Sequence, residues 1–337
     1  MTERSITASS KHKIIKWLPG VTISLVAIIF LSRMADWQQV VSAIQRIPPI
    51  YILMTALSTV LFILVRALAW RVLLEEKASL KDTFFGISIG YLVNNLLPLR
   101  AGEFSRAIII GKTTGLGAFH VLSTIVIERA FDLGFAAVLT LITLPLALKM
   151  DWARPVAITT LILVVIGVTV LFLAARYTTL VTKWFNQLGG RWSWFEKFLL
   201  PKALSLLEGL RVLVSPKRFF LTIFWIGTSW LIGVFVYYVV LLAFEPTAPL
   251  WWGAFADAVL AMGIAIPSAP ASIGVFEAAL IGALTILGID YSSALAYAIV
   301  MHAIQLVMTG ILGFTGLSLL GTSLFSFLSS NKVQDEE

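Results

Sequence analysis

The sequence predicts an all-α polytopic membrane protein with six full spans and two re-entrant helical hairpins, organised as an inverted repeat. Hydrophobic residues occupy 59% of its 337 positions and charged residues only 13%. The mean hydropathy of +0.94 is far above that of soluble globular domains. Long apolar runs recur along the chain, and two further apolar regions are interrupted by proline and glycine. We therefore treat residues 1–337 as one integral membrane domain.

Six apolar runs predict the full spans, since a spanning helix needs about 20 mostly apolar residues. They cover residues 17–31, 50–65, 121–148, 156–175, 219–244 and 294–320. The first run follows basic residues, as a secretory signal does, but no small-residue cleavage site comes after it. We therefore expect residues 17–31 to be an uncleaved anchor. With the two interrupted regions, about eight hydrophobic membrane elements are predicted.

The basic residues lie mostly in the segments that connect the spans, as the positive-inside rule requires. This pattern predicts a multi-pass protein of the inner membrane with a cytoplasmic N-terminus (1–16) and a cytoplasmic tail (321–337). Segment 176–218 combines basic with aromatic residues, which predicts a cytoplasmic segment lying on the membrane surface. Because this topology accounts for the net charge of +7, no nucleic-acid partner is expected.

Two regions have short apolar arms around a break, and arms of this length favour re-entrant hairpins over pairs of full spans. The first hairpin (83–120) belongs to a first repeat (50–148), and the second (251–287) belongs to a second repeat (219–320). The predicted break residues are Pro98 and Gly102 in the first hairpin and Pro267, Pro270 and Gly274 in the second. Three full spans separate the hairpins, so the two halves are predicted to be inverted, as in many transporters.

Six ionisable side chains lie inside this otherwise apolar chain: Arg100, Glu103, Arg106, Glu128, Arg129 and Asp132. An uncompensated charge at the bilayer centre costs roughly 2.5–3.5 kcal/mol, so we expect these groups to be paired, hydrated or bound to a charged ligand. Their formal charges cancel, which predicts one neutral set between the first hairpin and the following span. Guanidinium groups bind oxyanions through bidentate, charge-assisted hydrogen bonds, which favours a phosphate or carboxylate site. A structural ion-pair network is the alternative.

Other polar residues lie near the predicted breaks. Asn95 and its neighbour Asn94 precede the first break, where capping of the freed backbone groups is expected, and Asn95 is also a candidate substrate-binding residue. In the second half, Glu277, His302 and Gln305 are predicted to line the cavity or to couple transport to protons. A histidine that simply bonds to a backbone carbonyl remains open as the alternative.

Chemistry of other kinds has little support in the sequence. There is no cysteine, which excludes structural disulfides and thiolate catalysis. There is no HExxH, GxSxG or P-loop motif, and the three histidines show no ligand spacing. We therefore expect no catalytic residue, no metal site and no cofactor.

The two interrupted regions, each with the span that follows it, resemble the transmembrane region of lysylphosphatidylglycerol synthetases, a flippase-like family. The resemblance is carried by NNLLPLRAGEFSRAIIIGKTTGLGAFHVLSTIVIERAFD and PSAPASIGVFEAALIGALTILGIDYSSALAYAIVMHAIQLV, and it covers about residues 50–320. In two-domain members the membrane region is regarded as the lipid flippase, and a separate soluble domain transfers the aminoacyl group. The sequence ends at Glu337, so the resemblance implies the translocating half without the synthetic half.

The resemblance marks the same polar and break residues that the spacing singles out. In the first half they are Asn95, Pro98, Arg100, Gly102, Glu103, Arg106, Glu128, Arg129 and Asp132, and in the second half Pro267, Pro270, Gly274, Glu277, His302 and Gln305. One position departs from the family pattern, because Ala271 stands where many members have glycine. This substitution bears on the geometry of the second break.

Three functions follow from these observations. The first is a flippase-like transporter that moves a polar phospho- or isoprenoid-linked lipid between the leaflets of the inner membrane. The second is a membrane enzyme acting on a lipid-linked substrate, and the third is a lipid-binding scaffold for a synthase. The expected partner is a membrane lipid, with a lipid-modifying synthase or a second copy of the chain as further candidates.

Overall fold

The computed structural model describes residues 29, 33–97, 101–147, 153–189, 200–264 and 269–321, and all regular secondary structure in these ranges is helical. In order, the helices are α1 (Trp37–Gln45), α2 (Pro49–Leu73), α3 (Leu80–Leu96), α4 (Ala101–Thr114), α5 (Ala118–Ala147), α6 (Ala153–Arg176), α7 (Thr178–Gly189), α8 (Leu200–Leu210), α9 (Pro216–Leu241), α10 (Leu250–Gly263), α11 (Val275–Ile286) and α12 (Tyr291–Leu319). Short 3₁₀ turns at Arg211–Val214 and Pro270–Ser272 precede α9 and α11. The predicted all-helical class is confirmed.

Local sequence signals explain where several helices begin. Helices α2 and α9 both start with proline, whose fixed φ and missing N–H suit the first helical position. At the start of α3, Ser79 and Asp82 form a capping box, and Asp290 caps α12 by accepting a hydrogen bond from the Ser293 N–H. Each cap satisfies backbone donors that the helix itself leaves unpaired.

Four helices are long and apolar enough to cross a membrane: α2, α5, α9 and α12. They coincide with the predicted spans at 50–65, 121–148, 219–244 and 294–320. The predicted span at 156–175 coincides with α6, and α7 is turned by 87° from it. The predicted first span, 17–31, lies outside the described residues apart from Ile29. The chain is therefore a multi-pass membrane protein with four clear candidate spans among the described residues.

Helix α2 is longer than predicted, and the difference matters for the site. The sequence pattern ended the second span at residue 65 and assigned Arg66 to a connecting segment. That assignment was wrong, because α2 continues to Leu73 and the Arg66 side chain is only 3% exposed. Two carboxylates on α5 pair with Arg66, so its charge does not end the helix.

The structure gives the predicted break residues different roles. The prediction for Gly102 was wrong, since it lies within α4 rather than in a break. Pro270 opens a 3₁₀ turn, and Gly274 immediately precedes α11 with a φ of 86°, which suits glycine. The breaks at Pro98 and Pro267 lie outside the described residues.

The order of helices repeats along the chain. One long helix, two short ones and another long one form α2–α5, and the same order recurs in α9–α12. Helices α5 and α12, the last of each group, begin at Ala118 and Tyr291, which are 173 positions apart. Helices of each group pack on helices of the other group. Helix α2 packs on α9, α3 packs on α12, and α10 packs on α5.

Two apolar cores flank the centre of the molecule. One is built mainly from α2, α3, α4 and α5, with Trp70 as its largest fully buried side chain. The other is built mainly from α9, α10, α11 and α12 and includes the fully buried Tyr297. Because α2 packs on α9 and α5 on α10, polar side chains at these contacts lie between the two halves.

Candidate functional site

An ion-pair cluster joins α2 to α5 in the interior. The two terminal nitrogens of Arg66 contact Asp132, with Nη2 at 2.8 Å from Oδ2, and Nη2 also contacts Glu128 Oε1. Glu128 and Asp132 can share one arginine because they lie one helical turn apart on the same face of α5. Planar guanidinium forms such bidentate contacts readily, and each is strengthened by its charge.

Arg129 completes the cluster on its outer side. Its Nη2 lies 2.6 Å from Glu128 Oε1 and 3.3 Å from Asp132 Oδ2. The Arg129 side chain is 32% exposed, whereas that of Arg66 is 3% exposed. Arg129 is therefore the guanidinium of the cluster that a ligand can approach most easily.

Arg106 approaches the cluster from α4. Its Nη1 lies 3.2 Å from Glu128 Oε2, and its guanidinium carbon lies 4.7 Å from the centroid of the Trp70 ring. Trp70 is held in turn by a 2.9 Å hydrogen bond from Nε1 to Thr124 Oγ1. A cation over a buried indole face is stabilised by the ring quadrupole, so Trp70 fixes Arg106 as well as packing the core.

The charge balance differs from the sequence prediction. Three guanidiniums and two carboxylates meet in the cluster, which leaves one formal positive charge among them: Arg66, Arg106, Arg129, Glu128 and Asp132. The prediction of a neutral set did not include Arg66, whose charge makes the observed cluster positive. Arg100, a member of the predicted set, lies outside the described residues. Within the part of the chain that the structure describes, three buried guanidinium nitrogens have no hydrogen-bond partner, namely Arg66 Nε, Arg106 Nη2 and Arg129 Nε. The acceptor Glu128 Oε2 has no hydrogen-bond partner among the described residues either, so unpaired donors outnumber unpaired acceptors in the cluster by three to one.

A cavity of about 390 Å³ opens beside the cluster, between the two halves. The first half contributes Arg66, Arg129 and Asp132 to its wall, and the second half contributes Asp257 and Gln305. Most of the remaining wall is apolar or aromatic, and it includes Phe62, Tyr91, Leu133, Trp230, Val236, Tyr237, Leu260 and Met301. Trp230 also donates a 3.1 Å hydrogen bond to Asp132 Oδ1. An apolar chamber with a few convergent charges is the usual form of a ligand site.

The predicted site residues fall into distinct groups. Arg129, Asp132 and Gln305 line the cavity, and Glu128 and Arg106 lie behind its wall, 2% and 5% exposed. Glu103 accepts a 3.2 Å hydrogen bond from Asn94 Nδ2, near the start of α4.

The two asparagines at the end of α3 have separate functions. Asn94 Oδ1 accepts a 2.8 Å hydrogen bond from the Gly102 N–H, which caps α4 as expected. Asn95 Nδ2 donates a 2.8 Å hydrogen bond to Thr309 Oγ1 on α12, a contact that was not predicted from the sequence. Asn95 therefore ties the first half to the second near the cavity wall.

Glu277 and His302 are joined in the second half. Glu277 Oε2 accepts a 2.7 Å hydrogen bond from the Gly274 N–H, and Glu277 Oε1 lies 2.6 Å from His302 Nδ1. His302 Nε2 lies 3.0 Å from the carbonyl oxygen of Ala271, and the His302 ring stacks on Phe276 at 4.2 Å. The alternative of a contact to a backbone carbonyl is present, whereas neither Glu277 nor His302 is among the residues that line the cavity, and proton coupling stays a prediction.

The turn that His302 contacts has unusual backbone angles. Ala271 and Ser272 both have positive φ, at 58° and 55°. Residues with a Cβ disfavour this region by roughly 1–2 kcal/mol. The Ala271 position, where a glycine was expected, therefore keeps a left-handed turn despite its side chain, and the contact to His302 helps to hold it.

Ala271→Gly is expected to stabilise the protein by about 0.5–1 kcal/mol, because glycine relieves the left-handed strain at a smaller cost in unfolded-chain entropy. The matched control is Ala278→Gly, an exposed position inside α11. The control should destabilise the protein by about 1 kcal/mol, since glycine is a poor helix former. Unfolding of the purified variants in detergent measures both changes, and two shifts of the same sign would contradict the assignment of strain to Ala271.

Arg66 is the main site residue that sequence reasoning missed. A signal was present, since LFILVRALAW places one arginine between apolar residues on both sides. A topogenic arginine normally has further polar neighbours at the end of a span. Trp70, Thr309 and Trp230 were missed as well, because they contact their partners only through tertiary packing.

Comparison with models of known protein families found a match. A family model described as the lysylphosphatidylglycerol synthase TM region matches residues 17–313. No curated protein and no solved structure matches the chain. The match includes the whole of α2–α5, the second group of four helices up to residue 313 in α12, and all five members of the ion-pair cluster.

Proposed function

This chain belongs to the family of lysylphosphatidylglycerol synthase transmembrane regions, and on that premise we propose that it moves a phosphate-bearing lipid between the two leaflets of a membrane. The observation that carries the proposal is a cluster with excess positive charge that opens, through Arg129, on a cavity walled by both halves. The cavity accepts the polar head group, and the acyl or isoprenoid tails stay in the bilayer.

Charge compensation supports this assignment. Buried arginines must be paired in the absence of substrate, and the carboxylates of Glu128 and Asp132 supply that pairing. A lipid phosphate can replace a carboxylate as the partner of Arg129 without uncovering Arg66, which keeps its own contacts to both acids. The exchange substitutes one oxyanion for another, so little electrostatic energy is lost on entry.

The repeat supports alternating access. We propose that α3 with α4, and α10 with α11, are re-entrant hairpins that enter from opposite faces of the membrane. Support comes from the packing of each group of helices on the other and from the lengths of 14 and 12 residues for α10 and α11, too short for full spans. Rocking of one half against the other would expose the cavity to each leaflet in turn.

The distribution of basic residues supports an orientation of the chain in the membrane. We propose an inner-membrane protein with cytoplasmic termini, because the basic residues are concentrated in alternate connecting segments. The bend between α6 and α7 supports an interfacial position for α7, whose exposed side chains include Leu180 and Trp184.

The substitution Arg129→Gln tests the proposal. The glutamine variant should lower the rate of lipid movement by about tenfold or more, since a charge-assisted contact to phosphate is lost. The fold should survive because Arg66 still pairs with both carboxylates. Lys112→Gln, at an exposed position on α4, is the matched control and should leave the rate unchanged.

The assay uses vesicles that contain the purified protein and a head-group-labelled fluorescent phosphatidylglycerol. A membrane-impermeant reductant bleaches the label in the outer leaflet, so bleaching beyond that leaflet measures movement. Chemical conversion of the lipid, read by mass spectrometry, would instead support a membrane enzyme. Binding of the lipid without movement or conversion would support a scaffold for a synthase.

A further inference from the structure

The contacts of Glu277 and His302 show how many protons the pair needs for its hydrogen bonds. His302 Nδ1 faces Glu277 Oε1 at 2.6 Å, and His302 Nε2 faces the Ala271 carbonyl oxygen at 3.0 Å. The second Glu277 oxygen is already engaged, because it accepts the Gly274 N–H at 2.7 Å. Both ring nitrogens therefore face oxygen atoms at hydrogen-bond distance, and each contact needs a proton between its two heavy atoms.

A neutral histidine beside an ionised glutamate cannot satisfy both contacts. Neutral imidazole carries one N–H, so its second nitrogen would present a lone pair to an oxygen. One additional proton removes the conflict in either of two ways. His302 becomes an imidazolium that donates to both oxygens, or Glu277 becomes a neutral acid that donates to Nδ1 while Nε2–H donates to Ala271.

We propose that Glu277 and His302 form a proton-binding site, and that the bound proton holds the break before α11 in its left-handed turn. Loss of the proton sets a lone pair against an oxygen at one of the two contacts. Ala271 and Ser272, with φ of 58° and 55°, can then relax toward ordinary backbone angles. The stacking of His302 on Phe276 fixes the ring plane, so the ring cannot turn easily to avoid the conflict.

Glu277 and His302 pair with each other rather than with the titratable groups of the cavity wall. Helix α12 packs against α1, α2, α3, α9 and α11, and the turn at Pro270–Ser272 packs against α3. Helix α1 has no titratable side chain, and the cavity-lining titratable groups of α2, α3, α9 and α10 are Arg66, Tyr91, Tyr237 and Asp257. Among the described residues, neither Glu277 nor His302 has a hydrogen bond to any of these four.

The position of the turn gives the proton a consequence for transport, and this step rests on the proposed function. The turn packs against α3, and α3 is tied to α12 by the Asn95–Thr309 hydrogen bond. Release of the turn would loosen the contact between the two hairpins on one side of the cavity. Proton binding would then close that side, so lipid movement would depend on pH.

Cysteine labelling tests the turn without any transport assay, because the chain has no cysteine. Ser272→Cys reports on the turn, and Thr247→Cys, in the exposed loop before α10, corrects for ionisation of the thiol. The ratio of the two maleimide labelling rates should rise by about tenfold between acid and alkaline pH, the factor expected when one charge-assisted hydrogen bond is lost. A ratio that stays constant with pH overturns the proposal.

Two further substitutions give opposite outcomes. Glu277→Gln keeps an acceptor for the Gly274 N–H and gives Nδ1 of the neutral ring a permanent donor, so the labelling ratio should stay low at alkaline pH. His302→Leu removes both contacts, so the ratio should stay high at every pH. A Glu277→Gln variant whose ratio rises as in the unsubstituted protein overturns the assignment of the proton to this pair.

A second measurement covers the case in which Ser272→Cys does not fold. Hydrogen exchange of the segment 271–280 in the unsubstituted protein, referenced to the segment 245–250, should increase at alkaline pH after correction for intrinsic exchange. A hydrogen-exchange rate that does not increase at alkaline pH overturns the proposal. The vesicle assay separates this inference from the proposed function, since a pH-dependent turn without lipid movement contradicts the flippase and leaves the proton site standing.

Discussion

Arg66→Leu is expected to destabilise the protein by about 3–5 kcal/mol, the cost of leaving buried charges without their partner. Arg66 contacts Glu128 and Asp132 together, and its side chain is 3% exposed. Leucine keeps much of the volume but provides no donor. Arg129 and Arg106 remain near Glu128, whereas among the described residues Asp132 keeps only the contacts from Arg129 and Trp230.

Thermal and denaturant unfolding in detergent measures this loss, with Arg46→Leu as the control at an exposed position before α2. The control should change stability by less than about 0.5 kcal/mol. Adding Asp132→Leu to Arg66→Leu should recover part of the loss, because the second substitution removes the uncompensated carboxylate. Equal stabilities for Arg66→Leu and Arg46→Leu would show that the cluster does not hold α2 to α5.

The missed arginine shows where sequence reasoning reaches its limit. Apolar windows located all four long helices, because a spanning segment must be apolar over most of its length whatever it packs against. The same windows ended α2 at Arg66, since hydropathy scores a charged side chain by its cost in lipid. That cost is offset by carboxylates on a helix 62 and 66 positions later in the chain, and no local pattern contains this information.

The site, like the helices, was only partly predictable from the sequence. Helical spacing grouped Glu128 and Asp132 on one face, and proximity to a break identified Asn94 as a cap. The partners in the other half were out of reach, because Asn95 bonds to Thr309 across 214 positions and Trp230 bonds to Asp132 across 98. The Glu277–His302 contact is an intermediate case, because the sequence singled out both residues as polar groups of the second half but did not predict that they contact each other.

Gly102→Ala is expected to destabilise the protein by about 3 kcal/mol, the upper end of the range for overpacking. A Cβ at Gly102 would lie 1.9 Å from the carbonyl oxygen of Gly90 and 2.7 Å from Asn94 Oδ1. Backbone atoms on α3 cannot move away as a flexible side chain can, so α4 itself must shift. The shift would also break the hydrogen bond from the Gly102 N–H to Asn94.

Gly282→Ala, inside α11, is the matched control because a Cβ there meets no atom within 4 Å among the described residues. It should leave stability unchanged or raise it by up to about 1 kcal/mol, since alanine favours the helix. Unfolding in detergent compares the two alanine variants directly. The same shift of α4 would move Arg106 away from Glu128 and from the face of Trp70, so Gly102→Ala should also lower lipid movement in vesicles. Retention of both full stability and full activity would mean that α3 and α4 do not approach each other as closely as Gly90 and Gly102 indicate.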